Sequence, residues 1–252
     1  MKTSSFFKPF VVTAASLLFA GACLAQTPGM SSMEAVMTKL FGENKSFTAD
    51  AEISMSNTNT ANKQNMTMPV IMSQLDGKVR SDTDMEKIKG GMFPAEALQQ
   101  MKAMGMTHTI TIMRPDTKTM TMIYPGLTSY VQMPIPKEQA DALNKDPKIE
   151  KTEVGKETVD GHACVKNKVT VTDDNGKKQD LFMWNATDMK NFPIKMQINN
   201  EQGNVIIAYK NVKFEKPDAK LFEPPADYTK CADQQELMQK AMAKMGAGGA
   251  KP

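Results

Sequence analysis

ETVDGHACVKNKVTVTDDNGKKQDLFMWNATDMKNFPIKMQINNEQGNVIIAYKNVKF, residues 157–214, is a series of short alternating runs separated by turn residues. Val165, Asn167, Val169 and Val171 alternate with Lys166, Lys168, Thr170 and Thr172, the period of a strand with one buried and one wet face. Asp173-Asp174-Asn175-Gly176 tolerates positive φ and predicts a reversal into a strand over 178–184. Phe192, Ile194, Met196 and Ile198 then alternate with Lys195, Gln197 and Asn199, and a turn at Gly203 leads into 205–214. The stretch reads as an antiparallel meander.

The same period runs upstream. Phe47, Ala49, Ala51, Ile53 and Met55 share one face, and Met66, Met68, Val70 and Met72 share another, with Asp76-Gly77 turning the chain into 78–85. The full set of expected strands is 47–55, 65–75, 78–85, 107–113, 118–124, 128–133, 149–156, 163–172, 178–184, 192–199 and 205–214, which is eleven. An opening helix is expected from Ser31, at capping-box spacing from Glu34, to a cap at Gly42. Pro94 as first helical residue predicts a helix to Met104 stopped by Gly105, Lys137 to Asn144 reads as a short surface helix, and Gln235 to Met245 as a last one. Gly246 to Pro252 reads as a disordered tail. Many short strands with a few interposed helices predict a mainly β, α+β domain: a strongly curved antiparallel half-barrel of about eleven strands with helices on its concave face.

The N-terminus reads as an address. Lys2 and Lys8 precede an apolar run, Pro9 to Ala22, that is short for a membrane span, and small residues follow. A signal peptide over 1–25 leaves a domain over 26–230 and a C-terminal helix and tail over 231–252. Lipoprotein processing and anchoring at Cys23 is the alternative. Cleavage after Ala25 takes two lysines and no acid, so the formal charge of +3 falls to +1. Near neutrality without a basic cluster argues against nucleic acid as the main partner. The expected location is periplasmic or secreted, with no transmembrane segment in the mature chain. Cys164 and Cys231 then remain, and in an oxidising compartment an even pair favours a structural disulfide over free thiols or a redox or metal pair.

The signal peptide, the amphipathic opening helix, the long sheet and the closing Val212-Lys213-Phe214 … Leu221-Phe222-Glu223-Pro224-Pro225 together resemble the LolA-like lipoprotein-carrier superfamily. Within it, Thr158-Val159-Asp160-Gly161-His162-Ala163-Cys164 followed by a valine-rich strand is most similar to an uncharacterised envelope family known as a domain of unknown function. The resemblance spans roughly residues 33–228. It implies a half-open barrel whose concave side holds acyl chains, and it transfers no site residues. The tail beyond Cys231 and the abundance of methionine depart from the carrier pattern.

Methionine is the anomaly, 23 of 252 residues, mostly on expected strand or helix faces. A flexible, polarisable side chain fills irregular cores and adapts to variable apolar ligands. Core filling, ligand lining and Cu(I) coordination by thioethers are the three readings. Met66, Met68, Met72, Met101, Met104, Met120 and Met122 are the candidate lining of an apolar site. His108, near Met101, Met104 and Met106, shares its expected face with Ile110 and Ile112 and reads as a core histidine. Neither His108 nor His162 has metal-ligand spacing, and no nucleophile elbow, phosphate loop or dinucleotide fingerprint occurs. Asp173-Asp174-Asn175-Gly176 lacks a first calcium ligand at Val171. No enzyme activity, cofactor or metal is therefore expected. The expected ligand is a lipid or a lipoprotein acyl chain, with a Met-rich copper-binding protein or a structural envelope module as alternatives.

Overall fold

The computed structural model describes residues 39–57, 65–90, 94–137, 140, 148–172, 176, 178–200 and 203–249. The eleven expected strands all form, each end within three residues of its expected position: β1 Ser46–Asn57, β2 Asn65–Leu75, β3 Lys78–Asp84, β4 His108–Arg114, β5 Thr119–Tyr124, β6 Ser129–Pro134, β7 Lys148–Val159, β8 His162–Thr172, β9 Lys178–Ala186, β10 Phe192–Asn200 and β11 Gly203–Lys213. A twelfth, β12 Thr229–Cys231, was not expected. It pairs parallel to β6, so the sheet is antiparallel except at that edge. Three residues with no alternation carry no strand signal, and a neighbouring backbone makes this one.

The strands form one open, curled sheet in the order β12-β6-β5-β4-β3-β2-β1-β11-β10-β9-β8-β7. Sequence neighbours are sheet neighbours except β6 and β7, which lie in opposite wings, and β11 and β12: β11 returns to lie beside β1 and β12 beside β6, so the chain builds two wings from a shared centre. The expected turn at Asp76 (φ 49°) with Gly77 (φ 86°) forms, and Asp160 (φ 51°) with Gly161 (φ 84°) makes another; both adopt the left-handed conformations that let a two-residue loop match the twist of its strands. Residues 173–175 of the expected turn before β9 lie outside the described residues. Bulges at Thr48/Asp50, Pro193/Lys195 and Glu153/Gly155 bend the strands locally.

Of the helices α1 Ala95–Ala103 and α2 Gln234–Gly249, α2 packs on the sheet and α1 packs against α2. Pro94 caps α1 rather than opening it, and Gly105 (φ 72°) ends the segment as expected. The expectation of disorder from Gly246 is corrected for 246–249, because α2 runs on to Gly249; 250–252 lie outside the described residues. So do the signal peptide, Cys23, most of the opening helix, of which Lys39 and Leu40 are described as helical, and nearly all of the 137–144 helix.

The largest core lies where the centre meets the β8–β11 wing. Phe41, Phe47, Phe192 and Tyr209 stack with ring centroids 4.7–5.7 Å apart, tilted or edge-on. A second core lies under α2 on β5, β6 and β12. A third lies on the opposite face of β2, β4 and β5, beneath a strap that returns from β11 to β12 and inserts Phe222. Arg80 and Arg114 anchor this strap: Arg80 donates to the Leu221 carbonyl, and Arg114 pairs with Glu223.

The expected Cys164–Cys231 disulfide is corrected. Both thiols are free and buried. Cys164 is on β8 and Cys231 on β12, ten strand steps apart in the sheet order, and they belong to different cores. A bridge requires Cα atoms within about 7 Å. Even pairing of cysteines does not fix their separation.

Candidate functional site

Strand register fixes which side chains share a face, because directly opposed residues point the same way. Ala49, Met72, Ser81, Thr111, Met122, Val131 and Cys231 form one continuous row across seven strands. Beside it runs Phe47, Gln74, Val79, Met113, Met120 and Met133. Ala51–Val70 and Ile53–Met68 extend the same face along β1 and β2. This is the face α2 covers, since Leu237 and Ala241 pack with Met122, Val131 and Cys231.

The five strand methionines of the candidate lining, Met66, Met68, Met72, Met120 and Met122, therefore lie on one face of the sheet. Met66, Met68 and Met122 are buried, and Met72 and Met120 half-buried. Met101, on α1, is buried, and Met104, just after that helix, is half-buried in the core under α2. The rows also show a feature that alternation alone does not reveal. Between the two apolar wings of this face lies a hydroxyl stripe, with Ser81 and Thr83 on β3 and Thr109 and Thr111 on β4 in register. Thr109 Oγ1 is buried without a hydrogen-bond partner, as is Gln74 Oε1 in the neighbouring row. Buried polar atoms of this kind are uncommon and costly.

Burial raises the phenols on this side: Tyr124 is pushed up to about 12, and Tyr209 further in the same direction. Both are neutral at any physiological pH and serve as apolar bulk with a hydroxyl. The charged groups lie elsewhere. His108 shares the opposite face with Ile110 and Ile112, and its Nε2 lies 2.5 Å from Asp82 Oδ1; His162 Nδ1 lies 2.8 Å from Asp188 Oδ2, and this contact holds the Asp188 carboxyl below its usual range. Each histidine thus has one carboxylate partner. Among the described residues no three His, Cys, Asp or Glu side chains come together as a metal site.

Sequence reasoning missed a constellation on the β7–β9 wing. Trp184 Nε1 donates to Glu157 Oε2 at 2.8 Å, and Lys166 donates to Glu157 Oε1 at 2.7 Å. The ammonium groups of Lys166 and Lys195 lie 4.9 and 4.4 Å from the indole centroid. Lys166 first, and then the indole, hold the Glu157 carboxyl below its usual range. A depression of about 390 Å³ beside it is lined by Lys156, Glu157, Thr158, Ala163, Cys164, Val165 and Thr187. None of the seven candidate methionines lines it. Burial pushes the Cys164 thiol up, so it is not an activated nucleophile. No helix among the described residues is long and apolar enough to cross a membrane.

The family model of a domain of unknown function, DUF4412, matches residues 65–192 and 184–228. No curated protein matches the chain. Solved structures to which it is similar include the Mycobacterium tuberculosis lipoprotein LppX, at 9% identity and TM-score 0.38 over 72% of this chain and 91% of that one. LprF from Mycobacterium bovis is similar at 15% identity and TM-score 0.36, over 80% and 98%. The LolA superfamily protein NE2245 from Nitrosomonas europaea is similar at 11% identity and TM-score 0.32, over 76% and 95%.

Proposed function

This chain belongs to the DUF4412 family of domains of unknown function, and from that premise we propose that it is an exported binding protein that holds a lipid or an acyl chain against the inner face of its curled sheet. The observation that carries the reading is the placement of Met66, Met68, Met72, Met120 and Met122 on one face, the face that α2 covers. Unbranched thioether side chains adapt their rotamers to a guest of variable shape. Met101 and Met104 extend the lining from the helix side.

No reacting group is needed for such a task. Burial of each CH₂ contributes about 0.8 kcal/mol, so a long chain is retained by area alone and released when the helices part from the sheet. The hydroxyl stripe of Ser81, Thr83, Thr109 and Thr111 suits a guest with a polar junction between apolar parts. The mature protein works in the cell envelope, released after Ala25 or tethered through Cys23.

The test is native mass spectrometry of the protein purified from its own envelope, with lipid extraction of the same sample. A co-purified lipid, exchangeable for a fluorescent fatty acid and lost when Met72 is replaced by Trp, is the expected result. A clean apo mass together with no uptake of fatty acid or phospholipid would overturn the proposal.

A further inference from the structure

Six sulfur-bearing side chains converge where α2 crosses β5, β6 and β12. Met106, Met122 and Cys231 are buried there, and Met104, Met133 and Met238 pack against them. They arrive from separate parts of the chain: the segment after α1, three strands, and α2. On the sheet itself Met122 and Cys231 lie in one row on either side of Val131, pointing to the same face.

Methionine used as a substitute for leucine would be spread through all the cores. It is not. The core beneath the strap has no sulfur, and the largest core has four sulfurs, Met68, Met183, Met196 and Cys164, among eighteen buried members. The core under α2 has three among seven, and three of the four half-buried side chains packed on it are methionines. Core filling also leaves Met242 and Met245 unexplained, because they are 48% and 42% exposed. They stand four and seven positions beyond Met238, a spacing that puts all three on one side of a helix. Thioethers therefore run from solvent, through half-buried Met238, to buried Cys231.

We propose that this cluster is a binding site for Cu(I), with the Cys231 thiolate and thioethers drawn from Met104, Met106, Met122, Met133 and Met238 as ligands, and Met242 and Met245 as its point of entry. Thioethers and thiolates select soft monovalent copper over harder ions. Binding forms a Cu–S bond at Cys231 and releases its thiol proton to solvent, and copper enters and remains as Cu(I), so no electron is transferred. The thioethers are neutral and carry no proton to displace. The site does not depend on the acyl-binding reading, although Met104 and Met122 figure in both.

The test is anaerobic titration of the mature protein with Cu(I) against a chromophoric Cu(I) chelator such as bicinchoninate, with ascorbate present. One Cu(I) per chain with an all-sulfur first shell by X-ray absorption is expected. Combining Cys231→Ser with Met122→Leu and Met238→Leu should weaken binding at least a hundredfold. The control, Met183→Leu with Met196→Leu in the largest core, should bind as the wild type does. Met242→Leu with Met245→Leu, at exposed positions where folding is not at stake, should slow loading severalfold. No competition by the wild type, a nitrogen or oxygen first shell, or equal binding by the Cys231 variant and the control would each overturn the proposal.

Discussion

Arg80 Nη1 donates to the carbonyl oxygen of Leu221 at 2.9 Å, joining β3 to a strap 141 positions further along the chain. The bond sets the register of the strap so that the next residue, Phe222, enters the third core at 1% exposure. Phe222→Ala should cost about 3–5 kcal/mol, the usual range for a fully buried ring. Arg80→Ala should cost about 1–2 kcal/mol, since the lost donor is charged but its acceptor is exposed to water. Urea unfolding of both variants checks the order. An Arg80 variant as damaging as the Phe222 variant would mean that the strap is held by its latch and not by its core.

Trp184 is the single tryptophan of the chain and its indole donates to Glu157, so it reports the charge of that carboxyl. Lys166 and the indole hold the Glu157 pKa below its ordinary value. A depressed carboxylate contributes stability that is complete above its unfolded value, about 4.3, and is lost as pH falls through the lower folded value. Indole emission should therefore be flat from neutrality to below pH about 4.3 and change only under more acidic conditions. Glu157→Gln should abolish that transition. A midpoint at or above the ordinary glutamate value would contradict the arrangement.

Cys164 and Cys231 are 3% and 0% exposed and unpaired. Thiol titration of the mature protein should find both unreactive in buffer and both reactive in denaturant, without prior reduction. Reductant should leave the melting temperature unchanged. A mass two hydrogens light, or a melting point lowered by reductant, would restore the bridge that the cysteine count suggests.

Gly105 and Gly126 approach so closely that a Cβ on Gly105 would lie 2.8 Å from the Gly126 carbonyl oxygen, and the φ of Gly105, 72°, disfavours a side chain as well. This contact seats the end of the α1 segment against the turn Pro125–Leu127, whose Gly126 carbonyl also accepts from Lys244 on α2. Gly105→Ala should cost about 1–3 kcal/mol through strain and overpacking. Gly161→Ala, with open space around its Cβ position, should show the strain alone. Equal thermal shifts in the two variants would remove the packing argument.

Most of the sheet was legible because one-sided burial imposes a period of two; β3, with Val79, Ser81 and Thr83 on one side and Lys78, Arg80, Asp82 and Asp84 on the other, has no apolar face and was legible from the Asp76-Gly77 turn before it. The weak candidate at 149–156 formed too, as the exposed edge strand β7, where pairing with β8 and not burial sets its limits. β12 was illegible because three residues, Thr229 to Cys231, follow β6 by backbone pairing alone. The methionine face was readable strand by strand, but its continuity depends on register across β2 to β6, which periodicity does not fix. The Glu157–Trp184–Lys166 group left no mark, because Glu157 and Lys166 look like ordinary solvated residues on alternating polar positions.

Asn167 and Asn185 show the same limit from the polar side. Both lie on strands at positions where alternation calls for apolar residues, and both are buried, at 5% and 4% exposure. Asn167 Nδ2 donates to Asn185 Oδ1 at 3.0 Å, and Asn185 Nδ2 donates to the Asn191 carbonyl at 2.7 Å, tying the β8–β9 pair to the turn before β10. Removing one partner leaves the other buried with lost bonds, so Asn167→Val should cost about 1–3 kcal/mol. Replacing both by Val removes the Asn185 donor and the orphaned Asn167 together, which should bring the double variant closer to wild type than the sum of the singles. The coupling, measured by a double-mutant cycle in urea, should be at least about 0.5 kcal/mol. Strict additivity would show that the two amides are solvated separately and do not fix the register of this wing.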